Sequence, residues 1–257
     1  MRFSRAIVRT PGANFAHGLT SAADGPPELD RALRQHAHYC EALRECGLTV
    51  TELPAETRYP DGTFVEDTAI ITETVVIATR PGAAARVGEV AAIESALRSI
   101  GRDLCQIEAP GTLDGGDVCD ADGHFFIGVS ARTNGEGARQ LAQILERHAY
   151  RATLVDIRGS PALLHLKSGM AYLGARQLVI GPGVPEIAEL AGYERICVES
   201  AEAYAANCVR INARVLVAAG YPNFSSTLRA RGHSLLVLDM SEFRKMDGGL
   251  SCLSLRL

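Results

Sequence analysis

Apolar positions along this chain change period repeatedly. "ELDRALRQHAHYCEALRECG" (28–47) places apolar residues at helical spacing, and "LTVTELP", directly after it, alternates like a half-exposed strand. Two β-rich runs follow, "GTFVEDTAII" and "TVVIATR", with turn residues near or between them. The same order returns in "GEVAAIESALRSIG", "LCQIEAP" and "GTLDGGDVCDADGHFFIGVS". It returns again in "NGEGARQLAQILERHA", "YRATLVDIR" and "ALLHLKSGMAYLGARQLVIG". A shorter round reads "PEIAELAG", "YERICVES", "AYAANCVRINARVLVAAG". The last reads "SSTLRARG", "HSLLVLDM", "GGLSCLSLRL", and "RAIVRT" (5–10) is available as its missing strand.

The predicted helices end near Gly47, Gly101, Ala149, Gly192 and Gly232. That spacing, roughly 40 to 55 residues, falls within the range of propeller-like and solenoid arrays. Five such units predict an α/β chain that closes on itself, with the N-terminal strand completing the C-terminal unit. The prediction is one domain over residues 1–257. The inner strands would read "FVEDTAII", "LDGGDVCD", "LLHLKSGM", "YAANCVRI" and "GLSCLSLR". At comparable points they carry Glu66 and Asp67, Asp114 and Asp117, His165, Asn207, and Cys252. Closure would bring carboxylates, an imidazole and a thiol into one pocket. Ionisable groups on apolar strands are costly to bury unless paired or functional.

Composition narrows the function classes. The chain is 47% hydrophobic over 257 residues, enough for a sizeable core. Its seven cysteines are an odd number without a C-x-x-C pair, which favours reduced thiols and a cytoplasmic setting over a disulfide framework. The N-terminal "MRFSRAIVRTPG" has too short an apolar run for a signal peptide, and no stretch approaches a membrane span. A formal net charge of −4 without a basic block argues against nucleic acid.

Taken singly, each polar residue has an ordinary reading. Free cysteine behaves as a small hydrophobe, and Cys40, Cys46, Cys105, Cys119, Cys197 and Cys208 are read that way. Cys252 differs because glycines precede it and leave backbone room for a ligand. His36 and His38, two apart on a helix, face different ways and are poor joint metal ligands. "EDT" and "DGGD" could be turn carboxylates, and the arginines of "RPGAAAR" (80–86) and "SARTN" (130–134) could be solvated.

Together the motifs resemble a known family. "VRTPG" (8–12), "HGLTS" (17–21), "DGTFVEDT" (61–68), "RPGAAAR", "APGTLDGGD" (109–117), "ARTN", "LHLK" (164–167), "YAANC" (204–208) and "RKMDGGLSC" (244–252) occur in this order. The chain resembles the dimethylarginine dimethylaminohydrolases, of the guanidino-group-modifying superfamily. The resemblance implies a five-fold pseudo-symmetric ββαβ propeller, the pentein fold, in agreement with the repeat. It implies Cys252 as nucleophile on a guanidinium carbon, His165 as acid and then base, and Asp114 orienting His165. Bacterial members carry Glu where this chain has Asp114, so the side chain is one methylene shorter. Glu66 and Asp67 are implied for the substrate guanidinium, Arg86 and Arg132 for its α-carboxylate, and Asp61 for its α-amino group. The carbonyls of Leu19 and Met246 complete the implied contacts. Residues 11–27 read as a lid over a small ligand.

No cofactor and no metal is expected, although a Cys/His/Asp cluster could take up zinc adventitiously. The expected partner is a methylated L-arginine, with no nucleic acid and no membrane, and a homodimer is among the expectations. The implied reaction converts Nω,Nω-dimethyl-L-arginine or Nω-methyl-L-arginine to L-citrulline and an amine. Arginine deiminase-like or citrulline-hydrolysing activity is the alternative within the superfamily. From other classes, a silent amino-acid binder conflicts with the intact nucleophile, histidine and acid. A Cys-His peptidase would need an open groove.

Overall fold

The computed structural model describes residues 2–257. Among them, fifteen strands form five sheets of three strands each. The chain divides into two compact units, one of Asp67–Asn207 and the other of Arg2–Glu66 with Cys208–Leu257.

The second unit begins with β1 (Arg5–Arg9), α1 (Leu29–Glu45) and β2 (Thr49–Leu53). Helix α1 buries Ala32, His36, Tyr39, Cys40 and Leu43, three and four residues apart, on one face. It stops where Gly47 takes φ +87°, a left-handed turn that glycine adopts without strain. After the other unit, the chain returns through β12 (Val209–Ile211), β13 (Arg214–Ala218), α4 (Pro222–Ala230), β14 (Ser234–Leu238), α5 (Ser241–Arg244) and β15 (Leu255–Arg256). Its sheets run β15-β1-β2 and β12-β13-β14. Strand β1 pairs antiparallel with β15 and parallel with β2, so the N-terminal strand does complete the C-terminal unit. Phe15, Phe64 and Phe243 pack with ring centroids 5.5–6.3 Å apart.

The first unit holds three sheets built to one plan. They are β3 (Ala69–Ile71), β4 (Val75–Ala78) and β5 (Asp103–Gln106); β6 (Val118–Asp120), β7 (His124–Val129) and β8 (Arg151–Asp156); and β9 (Met170–Gly174), β10 (Gln177–Ile180) and β11 (Glu194–Cys197). In each, a hairpin pairs the first two strands antiparallel, and a crossover returns the third parallel to the second. Helix α2 (Glu89–Arg98) makes the first crossover and α3 (Gly135–Arg147) the second. Asn134 caps α3, accepting the Gly137 N–H at 2.8 Å. The middle strands β4 and β7 are buried nearly throughout, which explains their unbroken apolar runs. Their side chains and those of α3, including Val75, Ile77, Phe125, Ile127, Leu141 and Leu145, form a core cluster.

The third crossover departs from expectation. "PEIAELAG" forms only a 3-10 turn, Ala188–Gly192, with Leu190 as its buried residue. Eight residues headed by Pro185 do not nucleate a stable α-helix. The last residues are also less strand-like than their alternation predicts: a 3-10 turn, Ser251–Leu253, precedes a two-residue strand.

Candidate active site

Glu66, Asp67, Asp114, Asp117, His165, Asn207 and Cys252 do not lie on the inner strands where the alternation had placed them. Each lies in or beside the 3-10 turn that leads into one: Val65–Thr68 before β3, Gly115–Asp117 before β6, Leu166–Ser168 before β9, Ser200–Ala206 before β12, and Ser251–Leu253 before β15. A strand would send Glu66 and Asp67 to opposite faces. In the turn, each side chain reaches its own buried partners.

In the Asp67–Asn207 unit the groups are tightly wired. His165 Nε2 lies 3.0 Å from Asp114 Oδ2. The second oxygen, Oδ1, accepts the Gly82 N–H at 2.8 Å, and the side chain of Asp114 is fully buried. The aspartate at 114, although shorter than glutamate, therefore reaches the imidazole. Asp117 anchors the next turn: Oδ1 accepts the Leu166 N–H at 2.9 Å and Oδ2 accepts the Ser130 hydroxyl at 2.7 Å. Asp67 Oδ1 accepts the Gly116 N–H at 2.8 Å, and Oδ2 meets Arg86 Nη1 at 2.6 Å. A Cβ on Gly116 would lie 2.7 Å from His165 Nδ1 and 2.9 Å from Asp67 Oδ1, so only glycine leaves the imidazole its place.

Burial disfavours charge on His165, but Asp67 and Asp117 and the hydrogen bond to Asp114 outweigh it, raising the pKa to about 9. The ring is thus cationic at neutral pH. Nε2 is the ring nitrogen committed to Asp114. Burial also opposes charge on Asp67, but the Arg86 cation and then His165 hold its pKa down at about 2. Burial raises the Asp117 pKa.

The two arginines expected to bind carboxylate differ. Arg86 is buried and bonds Asp67 through Nη1 and Glu89 through Nε and Nη2, the last at 2.8 Å. Arg132 is half-buried, and its guanidinium makes no ion pair among the described residues. Glu89, three residues beyond Arg86 in the first turn of α2, was not singled out in the sequence; its signal was this spacing.

The other unit carries the remaining candidates. Cys252 sits in the Ser251–Leu253 turn, partly exposed, its N–H donating to Gly249 O at 3.2 Å. In return, the Gly249 N–H donates to Cys252 Sγ at 3.4 Å, and a donor aimed at sulfur favours negative charge there. Both oxygens of Asp61 accept the Leu19 N–H, each at 3.1 Å. Leu19 itself is 41% exposed, on a loop that Thr20 ties to Lys245 O at 2.8 Å and Ser21 to Asp247 at 2.6 Å. Met246 is buried beside that attachment. Glu66 is engaged by Ser251 and Arg256. Asn207 donates to Lys167 O at 3.0 Å in the first unit.

A cation could use Asp67, Asp114 and His165, which bring one ligand atom each to within 4.8 Å of one another. Their chemistry does not favour it. The carboxylates already serve Arg86, Gly116, Gly82 and His165, and a metal needs neutral imidazole. None of the seven cysteines forms a disulfide. No helix among the described residues is long and apolar enough to cross a membrane.

Five ββαβ-type sheets and a buried acid–histidine pair define the class, that of the guanidino-modifying enzymes. The family model described as arginine deiminase matches residues 60–215. The chain is 42% identical to the N(G),N(G)-dimethylarginine dimethylaminohydrolase of Pseudomonas aeruginosa, over 99% of both chains. It is 32% identical to the enzyme of that name from Streptomyces coelicolor, over 100% of this chain and 98% of the other. The Pseudomonas aeruginosa structure, a Cys-to-Ser mutant complexed with citrulline, matches with a TM-score of 0.96 over 100% of both chains at 41% identity. An N-terminal arginine dihydrolase domain from cyanobacteria shares the fold at a TM-score of 0.90 and 18% identity, over 100% of this chain and 97% of the other. The chain belongs to the dimethylarginine dimethylaminohydrolase family, and its α/β fold of five units is the pentein fold.

Proposed function

We propose that this chain hydrolyses Nω,Nω-dimethyl-L-arginine and Nω-methyl-L-arginine to L-citrulline and dimethylamine or methylamine, as one catalytic domain over residues 1–257. The observation that carries the reading is the end-to-end identity of 42% with the Pseudomonas aeruginosa enzyme. The wiring of His165 suits the chemistry. A guanidinium carbon is a poor electrophile, and its amine leaves only when protonated.

Cys252 Sγ, as thiolate, adds to the guanidinium carbon. The bond from carbon to the methylated nitrogen then breaks as His165 Nδ1 gives that nitrogen a proton. Water adds to the resulting thiouronium carbon, losing one proton to the now neutral His165; the C–S bond then breaks to give thiolate as the remaining hydroxyl proton passes to solvent, where the released amine takes it up, leaving citrulline. Asp114 holds the ring and offsets its charge through both protonation states. Asp67 is the carboxylate for the substrate guanidinium, and Asp61 with the carbonyls of Leu19 and Met246 takes the α-amino end. Arg132 binds the α-carboxylate, with Arg86 as the second cation. Because Arg86 is already paired with Asp67 and Glu89, Arg132 contributes more.

A homodimer in the reducing cytoplasm belongs to the same proposal; cysteines without disulfides suit that compartment, and sedimentation velocity tests the dimer. The deciding experiment quantifies citrulline and amine released from dimethylarginine, methylarginine and L-arginine. A higher kcat/KM for the methylated substrates supports the proposal. Ammonia released from L-arginine with the higher kcat/KM would replace it with arginine deiminase activity.

A further inference from the structure

Glu66 and Asp67 are neighbours, and both suit a guanidinium by charge. The structure gives them different surroundings. Glu66 bonds Ser251 and Arg256, which like Glu66 itself belong to the unit that carries Cys252. Its Oε2 accepts the Ser251 hydroxyl at 2.7 Å, and its Oε1 accepts Arg256 Nη2–H at 2.8 Å. From the other side, Arg256 Nη1 donates to Ser251 O at 3.1 Å, Ser254 O at 3.0 Å and Ser254 Oγ at 2.9 Å. Tyr39, fully buried on α1, closes the network with Oη 2.7 Å from Ser254 Oγ. The bonded atoms thus belong to Ser251, the first residue of the Cys252 turn, and Ser254, the residue after it, and Ser251 is held by both its hydroxyl and its carbonyl. Glu66, Ser251 and Ser254 are buried, and the Arg256 side chain is 14% exposed.

We propose that Glu66 and Arg256 are positioning residues for the nucleophile: they fix the Ser251–Leu253 turn so that Cys252 Sγ stays on the Gly249 N–H and at one attack angle. Glu66 acts through Ser251 and Arg256. Tyr39 and Ser254 complete the support. The inference rests on Cys252 being the nucleophile of the proposed reaction, but one of its readouts needs no substrate.

The variants are Glu66→Gln, Arg256→Lys and the milder Tyr39→Phe. Glutamine keeps one acceptor oxygen for two donors and leaves Arg256 without its counter-charge. Lysine keeps the charge but not the four-way donor set. Displacing a reacting group by an ångström costs about 100-fold in rate, so kcat should fall by roughly 10- to 100-fold in Glu66→Gln and Arg256→Lys, and less in Tyr39→Phe, with KM nearly unchanged. The rate and pH profile of Cys252 alkylation by iodoacetamide should change in the same order, whatever the true substrate is. In a Cys252→Ala background, Glu66→Gln should bind dimethylarginine as the parent does. A loss of about 10-fold or more in that affinity would identify Glu66 as a guanidinium ligand, because a charge-assisted bond is worth that much. Such a loss overturns the proposal. Unchanged kcat and alkylation in Glu66→Gln would overturn it too. If Glu66→Gln and Arg256→Lys fail to fold, Tyr39→Phe decides: a wild-type kcat and alkylation profile there rejects the network as a positioning device. Absent dimethylarginine turnover in the wild type, with alkylation responding as described, would fault the substrate and leave the positioning role standing.

Discussion

Replacing Asp114 with Asn should lower the pH at which His165 loses its proton, and the size of the effect follows from the bonds at this carboxylate. Asp114 uses one oxygen for the His165 ring at 3.0 Å and the other for the Gly82 N–H at 2.8 Å. Asparagine has only one acceptor oxygen, so one of the two donors loses its partner, and the negative charge is lost in either case. A hydrogen bond to a charged group is worth about 1.5–3 kcal/mol, and 1.36 kcal/mol corresponds to about one pKa unit. Asp67 and Asp117 remain, so the shift is partial. The alkaline limb of kcat/KM, set in the wild type by a His165 pKa of about 9, should move down by about one to two pH units. Misorientation of the ring should add a loss in kcat. The assay is citrulline release against pH at subsaturating substrate for wild type, Asp114→Asn and Asp114→Glu. The glutamate variant should restore most activity, because it keeps the charge and both oxygens. An Asp114→Asn limb that coincides with the wild type would refute the idea that Asp114 helps hold the proton on His165.

Other consequences follow from the same contacts. Arg132→Ala should lower kcat/KM for dimethylarginine by roughly 10- to 100-fold, mainly through KM, and leave the decarboxylated analogue unaffected. Arg86→Ala leaves Asp67 and Glu89 buried without their cation, so denaturant unfolding should show a loss of about 3–5 kcal/mol beyond any kinetic defect. His165, with its pKa raised from the ordinary 6.5 to about 9, contributes stability that is complete below pH 6.5 and is lost as pH rises through 9. Unfolding free energies measured across that window should fall by a few kcal/mol in wild type and show a flatter profile in His165→Gln.

Much of the fold was legible because each unit repeats one hydrophobic plan. The helical spacing in α3 matches the buried face that the structure shows. The N-terminal strand could be assigned to the C-terminal unit because "GLSCLSLRL" needed a partner that only "RAIVRT" could supply. Where a motif was short, pattern alone misled: "PEIAELAG" has helical composition but too few residues to hold an α-helix. The site residues were identifiable by type and spacing, not by backbone form. "EDT", "DGGD" and "SC" were placed on inner strands, while the structure makes them 3-10 turns closed by bonds such as Asp117 N–H to Asp114 O at 3.0 Å. Partner choice was the least legible. Nothing local in "LSLRL" marks Arg256 as the partner of Glu66, 190 positions away, because such a pairing exists only once the sheets have formed.

The central claim is that Cys252 forms a covalent intermediate that His165 helps to resolve. S-Methyl-L-thiocitrulline tests it most directly, since its methanethiol leaves without needing the proton that dimethylamine requires. Intact-mass and peptide mass spectrometry of His165→Gly treated with this compound should show one adduct per chain, confined to the peptide that carries Cys252. The wild type should release citrulline without accumulating the adduct, and Cys252→Ala should show neither adduct nor citrulline. An adduct on any other cysteine, or citrulline formed by Cys252→Ala, would contradict the account.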